Sequence, residues 1–206
     1  MTLRGLIVDG ATTGSFGIVF NTGRSLTIDR LTVRNVTLDG VLLQPKASST
    51  FALSNSTFMR NSVGVHITPR GTDMAVSAIF SRVDLLVNVV RGLAINGTAS
   101  TGRIEIAVTD SLASNNGGAG FAIEGSDGHS ATNLTLIRSV SAANQLGVQQ
   151  EGKPAPPSAP ATISVGQSAL AGNAIGWLGG RTSSFGDNYI AGNGPSSAPL
   201  GNVQKQ

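Results

Sequence analysis

The chain has 206 residues, enough for one repeat-built domain. Its 27 glycines, 4% aromatic and 12% charged residues exclude a helical bundle, and its 40% hydrophobic content excludes a disordered chain. The net charge of +3 comes from scattered arginines with no dense basic run and few aromatic residues for base stacking, which argues against nucleic acid.

Cysteine is absent, so disulfides, zinc–thiolate sites and thiol nucleophiles fall away, and either redox compartment is permitted. No apolar run approaches the roughly 18 residues of a membrane span, and no signal-peptide pattern precedes the first strand. LRGLIVDG, just after Met1, already reads as strand and turn, so an upstream segment of a longer protein is compatible with this start.

Taken in chain order, the elements repeat. An apolar position opens each unit at Leu3, Ile28, Leu53, Phe80, Val108, Ile137, Val165 and Phe185, with steps of 25, 25, 27, 28, 29, 28 and 20 residues. A second apolar or small residue follows five positions later, at Val8, Val33, Phe58, Leu85, Ala113, Ala142, Leu170 and Ile190. Each unit then closes on a glycine-led strand: Gly17–Phe20, Gly40–Leu43, Gly64–Ile67, Gly92–Ile95 and Gly120–Ile123, with weaker copies at Gly147 and Gly176. Alternation over three or four residues predicts short strands with one buried face, and the intervening Gly and Asn supply corners. Near-constant spacing without crossover helices predicts a solenoid in which each coil pairs with the next. Leucine-rich repeats share the period but not the leucine density or the helical return segment.

Asparagines recur at Asn35, Asn61, Asn88, Asn115, Asn144, Asn173 and Asn193. In a parallel stack such amides can bond up and down one corner, so the row is read as structural. Gly194–Gln206, with Pro195 and Pro199, is expected to end the sheet because proline cannot donate to a ladder. The first coil has no such cap, and its open edge is a candidate surface for self-association. Two loops, Glu124–Ser130 and the proline-rich Glu151–Pro160, follow the same strand in successive units and should project from one side.

With its stacked asparagines and short glycine-led strands, the chain resembles the pectate-lyase-like right-handed parallel β-helix superfamily over essentially its whole length. SNNGGAGF and the ending SFGDNYIAGNG are similar to the C-terminal coils of small bacterial β-helix repeat proteins of unassigned function. The resemblance implies an all-β, single-stranded right-handed parallel β-helix of about eight coils of roughly 25–29 residues, spanning 1–194, with 195–206 as a tail or end cap. It also implies a secreted or cell-surface location and polysaccharide as the class of partner.

Polysaccharide enzymes of that superfamily work in a groove along one outward strand face, with carboxylates from adjacent coils. The hydrolase pattern places Asp before the strand glycine in neighbouring coils. Here Asp39 fits, whereas the equivalent positions hold Val63, Arg91, Ala119, Leu146 and Ile175, which leaves acid/base hydrolysis without its second carboxylate. The lyase pattern needs clustered acids for calcium and an arginine base. The best collection is Asp29, Arg30 and Arg34, then Arg82 and Asp84, then Asp110 and Arg138, whose alternating sign also reads as inter-coil surface pairing.

His66 sits between Val65 and Ile67 with no second histidine or carboxylate at ligand spacing, and His129 lies in a polar loop. Trp177 and Tyr189 fall where the repeat calls for bulk near the C-terminal end. Asn35, Asn55, Asn96 and Asn133 begin Asn-x-Ser/Thr sequons. No P-loop, nucleophile elbow or zinc-protease motif is present. The sequence therefore reads as a non-catalytic β-helix module for structure, adhesion or carbohydrate contact. The alternative is a polysaccharide lyase, epimerase or hydrolase, with calcium relevant only there.

Overall fold

A computed structural model describes residues 1–152, 161–196 and 200–202. The proline-rich segment expected to project after Gly152 lies outside these residues. The described strands form a 15-stranded sheet, which bends at a corner and so presents two faces, and a separate 7-stranded sheet that supplies a third. Every strand pairing is parallel, so each strand bonds to the equivalent strand one coil away.

The repeat positions become columns. On the first face Leu3, Ile28, Leu53, Phe80, Val108, Leu136, Val165 and Ser184 stand in register. On the second face the column runs Val8, Val33, Phe58, Leu85, Ala113, Ser141, Leu170 and Ile190. Three expected positions therefore shift by one residue: Leu136, Ser141 and Ser184 point inward, not Ile137, Ala142 and Phe185. In that coil the inward set Leu134, Leu136 and Ser141 is buried and keeps the strand's alternation, which an apolar count alone reads one residue late. The second face is crossed eight times and the third seven, because no third-face strand follows the last unit among the described residues. Seven strands enclose six complete turns, slightly fewer than the eight coils expected.

Inward columns of Leu, Ile, Val and Phe fill the tube, among them Phe58, Phe80 and Phe121, and Phe20 meets Phe51 edge-on at 5.1 Å between ring centroids. Two corners of each coil turn on a single left-handed residue. The first corner carries Arg30, Asn55, Arg82, Asp110, Arg138 and Gln167, and the second Asn35, Arg60, Val87, Asn115 and Ala143, all at φ between 47° and 57°. Because one residue makes the turn, hydrogen bonding continues almost unbroken, and Ser49–Met59 and Met74–Leu86 run as strands of 11 and 13 residues across the first corner. The short strands expected there are fused.

Buried amides bridge coils just after the second corner. Asn61 Oδ1 accepts from the Val36 N–H, Asn88 from Asn61, Asn116 from Asn88, Asn144 from Asn116, Asn173 from Asn144 and Asn193 from Asn173, at 2.9–3.2 Å. The row thus contains Asn116, not Asn115, and starts on Val36, not Asn35. Asn35 and Asn115 are instead the left-handed corner residues one position earlier. A similar row of buried serines follows the first corner, where Ser56, Ser111, Ser139 and Ser168 each accept from a backbone N–H one coil away.

At the C-terminal end Gly201–Asn202 pairs with Thr182–Ser184, so the sheet continues past the prolines expected to stop it. The residues in register with Ser183 and Ser184 belong to a segment beyond Pro199. Tyr189, expected to pack at this end, is 68% exposed, while Trp177 packs against the core.

Candidate functional site

The sequence-derived candidates separate onto different faces. Asp29, Arg30, Arg82, Asp110 and Arg138 lie at or beside the first corner, and the charged pairs run between coils. Arg4 Nε is 2.9 Å from Asp29 Oδ2, and Arg138 grips Asp110 through two contacts of 2.7 and 3.0 Å. Arg30 reaches the same Asp29, and Arg82 donates to Asn55. Hydrogen bonds from Asn55 and Ser54, then Arg4, hold the Asp29 carboxyl at a pKa of about 2. Arg138 lowers that of Asp110.

Arg34 and Asp84 stand on the second face, Arg34 paired with Asp9 at 2.8 Å. Asp84 lies between Thr57 and Leu112 in its column, and burial raises its pKa. These groups are spread along an exposed edge and do not converge on a cleft.

Asp39 and His66 come together on the third face. Its five central strands are Asp39–Leu43, Val63–Ile67, Arg91–Asn96, Ala119–Glu124 and Leu146–Glu151. Val41, Val65, Leu93, Phe121 and Val148 are buried in register, so alternation turns Leu42, His66, Ala94, Ala122 and Gln149 outward. Asp39 pairs with Val63 in the next coil, and its carboxylate reaches along that strand to His66, Oδ2 to Nδ1 3.3 Å. The carboxylate that sequence spacing failed to provide for His66 thus comes from the neighbouring coil. It favours the tautomer protonated at Nδ1, leaving Nε2 as the free acceptor. The pair lines a depression of about 340 Å³ with Leu42, Thr68, Arg70 and Asn96.

Beyond it lies a second polar group. Arg91 Nη2 is 2.7 Å from Glu151 Oε1, which also accepts from Gln149 Nε2 at 2.6 Å, and Asn96 Nδ2 donates to Glu124 Oε2 at 2.8 Å. Side chains of Arg91 and Glu151 keep only 26% and 31% of their exposure, against 54% for Arg138 at the first corner. Glu151, Glu124, Gln149 and Asn96 were missed as site residues because Glu151 reads as the start of a proline-rich loop. Their signal is the polar residue that closes three successive third-face strands: Asn96, Glu124 and Glu151 are register partners. Asp39's own row holds no other carboxylate, consistent with the residues read there from the sequence. Among the described residues no three histidines or acids gather as metal ligands would, and no helix is long and apolar enough to cross a membrane.

Two solved structures share this architecture. A double mutant of the periplasmic alginate epimerase AlgG aligns with a TM-score of 0.53 at 12% identity, over 93% of this chain and 45% of that one. The fold they share with this chain is the right-handed parallel β-helix. The A-module of the Azotobacter vinelandii mannuronan C-5 epimerase AlgE4 aligns at 0.50 and 13% identity, over 100% of this chain and 74% of the module. The chain spans less than half the length of the AlgG chain. No family model and no curated protein sequence matches it.

Proposed function

We propose that the chain is a non-catalytic carbohydrate-contact module whose glycan surface is the third face between Asp39 and Glu151. The observation that carries this reading is the concentration there of partly buried polar contacts between coils, Asp39–His66, Asn96–Glu124 and Arg91–Glu151–Gln149, on a rigid sheet. Amide, carboxylate and guanidinium groups held in place beside a shallow depression suit sugar hydroxyls, which need donors and acceptors already oriented. The names of both structural neighbours, epimerases of alginate and of mannuronan, support polysaccharide as the class of partner. The periplasmic neighbour supports a location outside the cytoplasm.

One observation favours a second, catalytic reading. An imidazole oriented by a carboxylate, with Arg70 and Asn96 lining the same depression, can take and return a proton. Hydrolysis is disfavoured by the missing second carboxylate, so the alternative is proton abstraction, as in a lyase or epimerase.

The deciding experiment is a glycan-array screen with and without calcium, followed by product analysis on every hit for cleavage, unsaturation and epimerisation. Binding without turnover supports the contact module, turnover moves the assignment to an enzyme centred on His66, and silence on all glycans overturns both.

A further inference from the structure

The second face differs from the other two in what it turns outward. From Thr57 and Met59 to Tyr189 and Ala191 its outward positions are apolar, small or hydroxyl-bearing, and Asp84 is the one charge among them. Large apolar side chains stay exposed here: Ile7 at 74%, Val140 and Tyr189 on the face, and Leu38, Val89 and Val90 at the corner that leaves it. A contiguous uncovered apolar area of this kind marks a contact surface.

Two charges on this face complement each other without meeting. Among the described residues Asp84 makes no hydrogen bond and no ion pair, although it is partly buried between Thr57 and Leu112. Arg34 touches Asp9 through Nε, and its side chain keeps 46% of its exposure. Arg34 and Asp84 stand two coils apart, about 10 Å along the solenoid axis, which is too far for an ion pair within one copy.

We propose that this face binds the same face of a second copy of the chain, about a two-fold axis lying along Thr57–Met59, so that Arg34 of each copy meets Asp84 of the other. A two-fold contact is isologous, so the one complementary pair is made twice. An axis along the strand direction keeps the strands of the two sheets aligned, as sheets packed face to face prefer, and reverses the order of the coils. Met59 then meets its own counterpart, Ile7 meets Leu112, and Leu38 faces the corner that carries Val89 and Val90. Of the cations at the rim, Arg30 and Arg82 are held by Asp29 and Asn55 of their own chain, and Arg60 is exposed to solvent. The coils from Ile7 to Leu112, with strand and corner together about 20 Å wide, give about 500 Å² per copy. That is close to the lower bound for a specific interface, so the dimer should be weak, with a Kd on the order of tens of micromolar. The third face takes no part, so the contact is independent of the glycan reading.

The test is sedimentation velocity on the full chain loaded from about 5 to 500 µM, with thermal melts at the lowest concentration to establish that each variant folds. Wild type should pass from monomer to dimer over that range. The Asp84→Arg and Arg34→Glu variants should each be monomeric alone, because like charges then face each other twice. Mixed together they should dimerise, because the mixed pair holds one wild-type contact and one reversed contact, both attractive. Asp84→Asn, which introduces no charge, should weaken the wild-type dimer about tenfold. Where a charge-reversal variant does not fold, Met59→Asp, which sets two acids on the axis, should be monomeric in its place. A wild type that stays monomeric throughout, or a mixture no more associated than its parts, overturns the proposal. A dimer kept by Asp84→Arg, Arg34→Glu or Met59→Asp alone lies on another surface, the open edge of the first coil included, and overturns it equally.

Discussion

Arg91 Nη2 lies 2.7 Å from Glu151 Oε1 although the two residues stand on strands two coils apart. The register places Ala122 on the diagonal between them, and its methyl-sized side chain leaves room for the guanidinium to cross; Ala94 and Ala122, turned outward, are only 3% and 1% exposed. Arg91→Ala should cost about 1–2 kcal/mol, a partly buried pair lying between the surface and fully buried cases. Ala122→Leu should break the same contact by bulk. Urea titration checks both, and equal stability to wild type would remove the cross-strand tie.

The amide row separates neighbouring residues with the same side chain. Asn116→Ala takes the side-chain acceptor from the Asn88 N–H and the side-chain donor from the Leu85 carbonyl in a buried corner, while Asn88 Nδ2 keeps the Phe58 carbonyl and Asn144 Oδ1 keeps the backbone N–H of residue 116, and should cost about 2–3 kcal/mol. Asn115 is a solvent-side corner residue at φ 56°, and Asn115→Gly should change stability by less than about 0.5 kcal/mol. Chemical denaturation of the two variants measures the contrast directly.

Val87 holds the same corner position as Asn115 with a β-branched side chain at φ 54°, 48% exposed. Gly172 and Gly192 fill that position in the last coils at φ 62° and 65°. Val87→Gly should therefore stabilise by about 1 kcal/mol through relief of backbone strain, raising Tm by about 2–4 °C. A lower Tm would mean that the side chain contributes packing.

Acid should act on opposite sides of the first corner. Asp29, with its pKa lowered from 3.8 to about 2, adds stability above pH 3.8 that is lost as pH falls toward 2. Asp84, with its pKa raised, favours the fold in acid and opposes it once pH rises through its folded value. Thermal melts should thus show Asp29→Asn less stable than wild type at pH 7 and equal to it near pH 2. Asp84→Asn should be more stable at pH 7 and equal near pH 3.

The fold was legible because stacking forces the same burial demand on every coil. Leu3, Ile28 and Leu53 announce their column at fixed steps, and the glycine-led strands mark the third face. Reading slipped at Ile137 and Ala142, where adjacent apolar residues leave the inward one undecided until neighbouring strands fix the register. Site residues were harder. His66 and Asp39 are 27 positions apart and Arg91 and Glu151 60 apart, and their contacts depend on how far a side chain reaches along the adjoining strand, which periodicity does not encode.

The central claim is that a glycan lies on the third face. Photo-crosslinking the chain to a photoreactive form of the strongest array hit, with mass-spectrometric mapping of the attached residues, addresses it most directly. Attachment within Asp39–Gln44, Val63–Thr68, Arg91–Asn96 and Ala119–Glu124, reduced by Arg91→Ala, is the predicted result. Attachment confined to the first or second face, unaffected by Arg91→Ala, would contradict it.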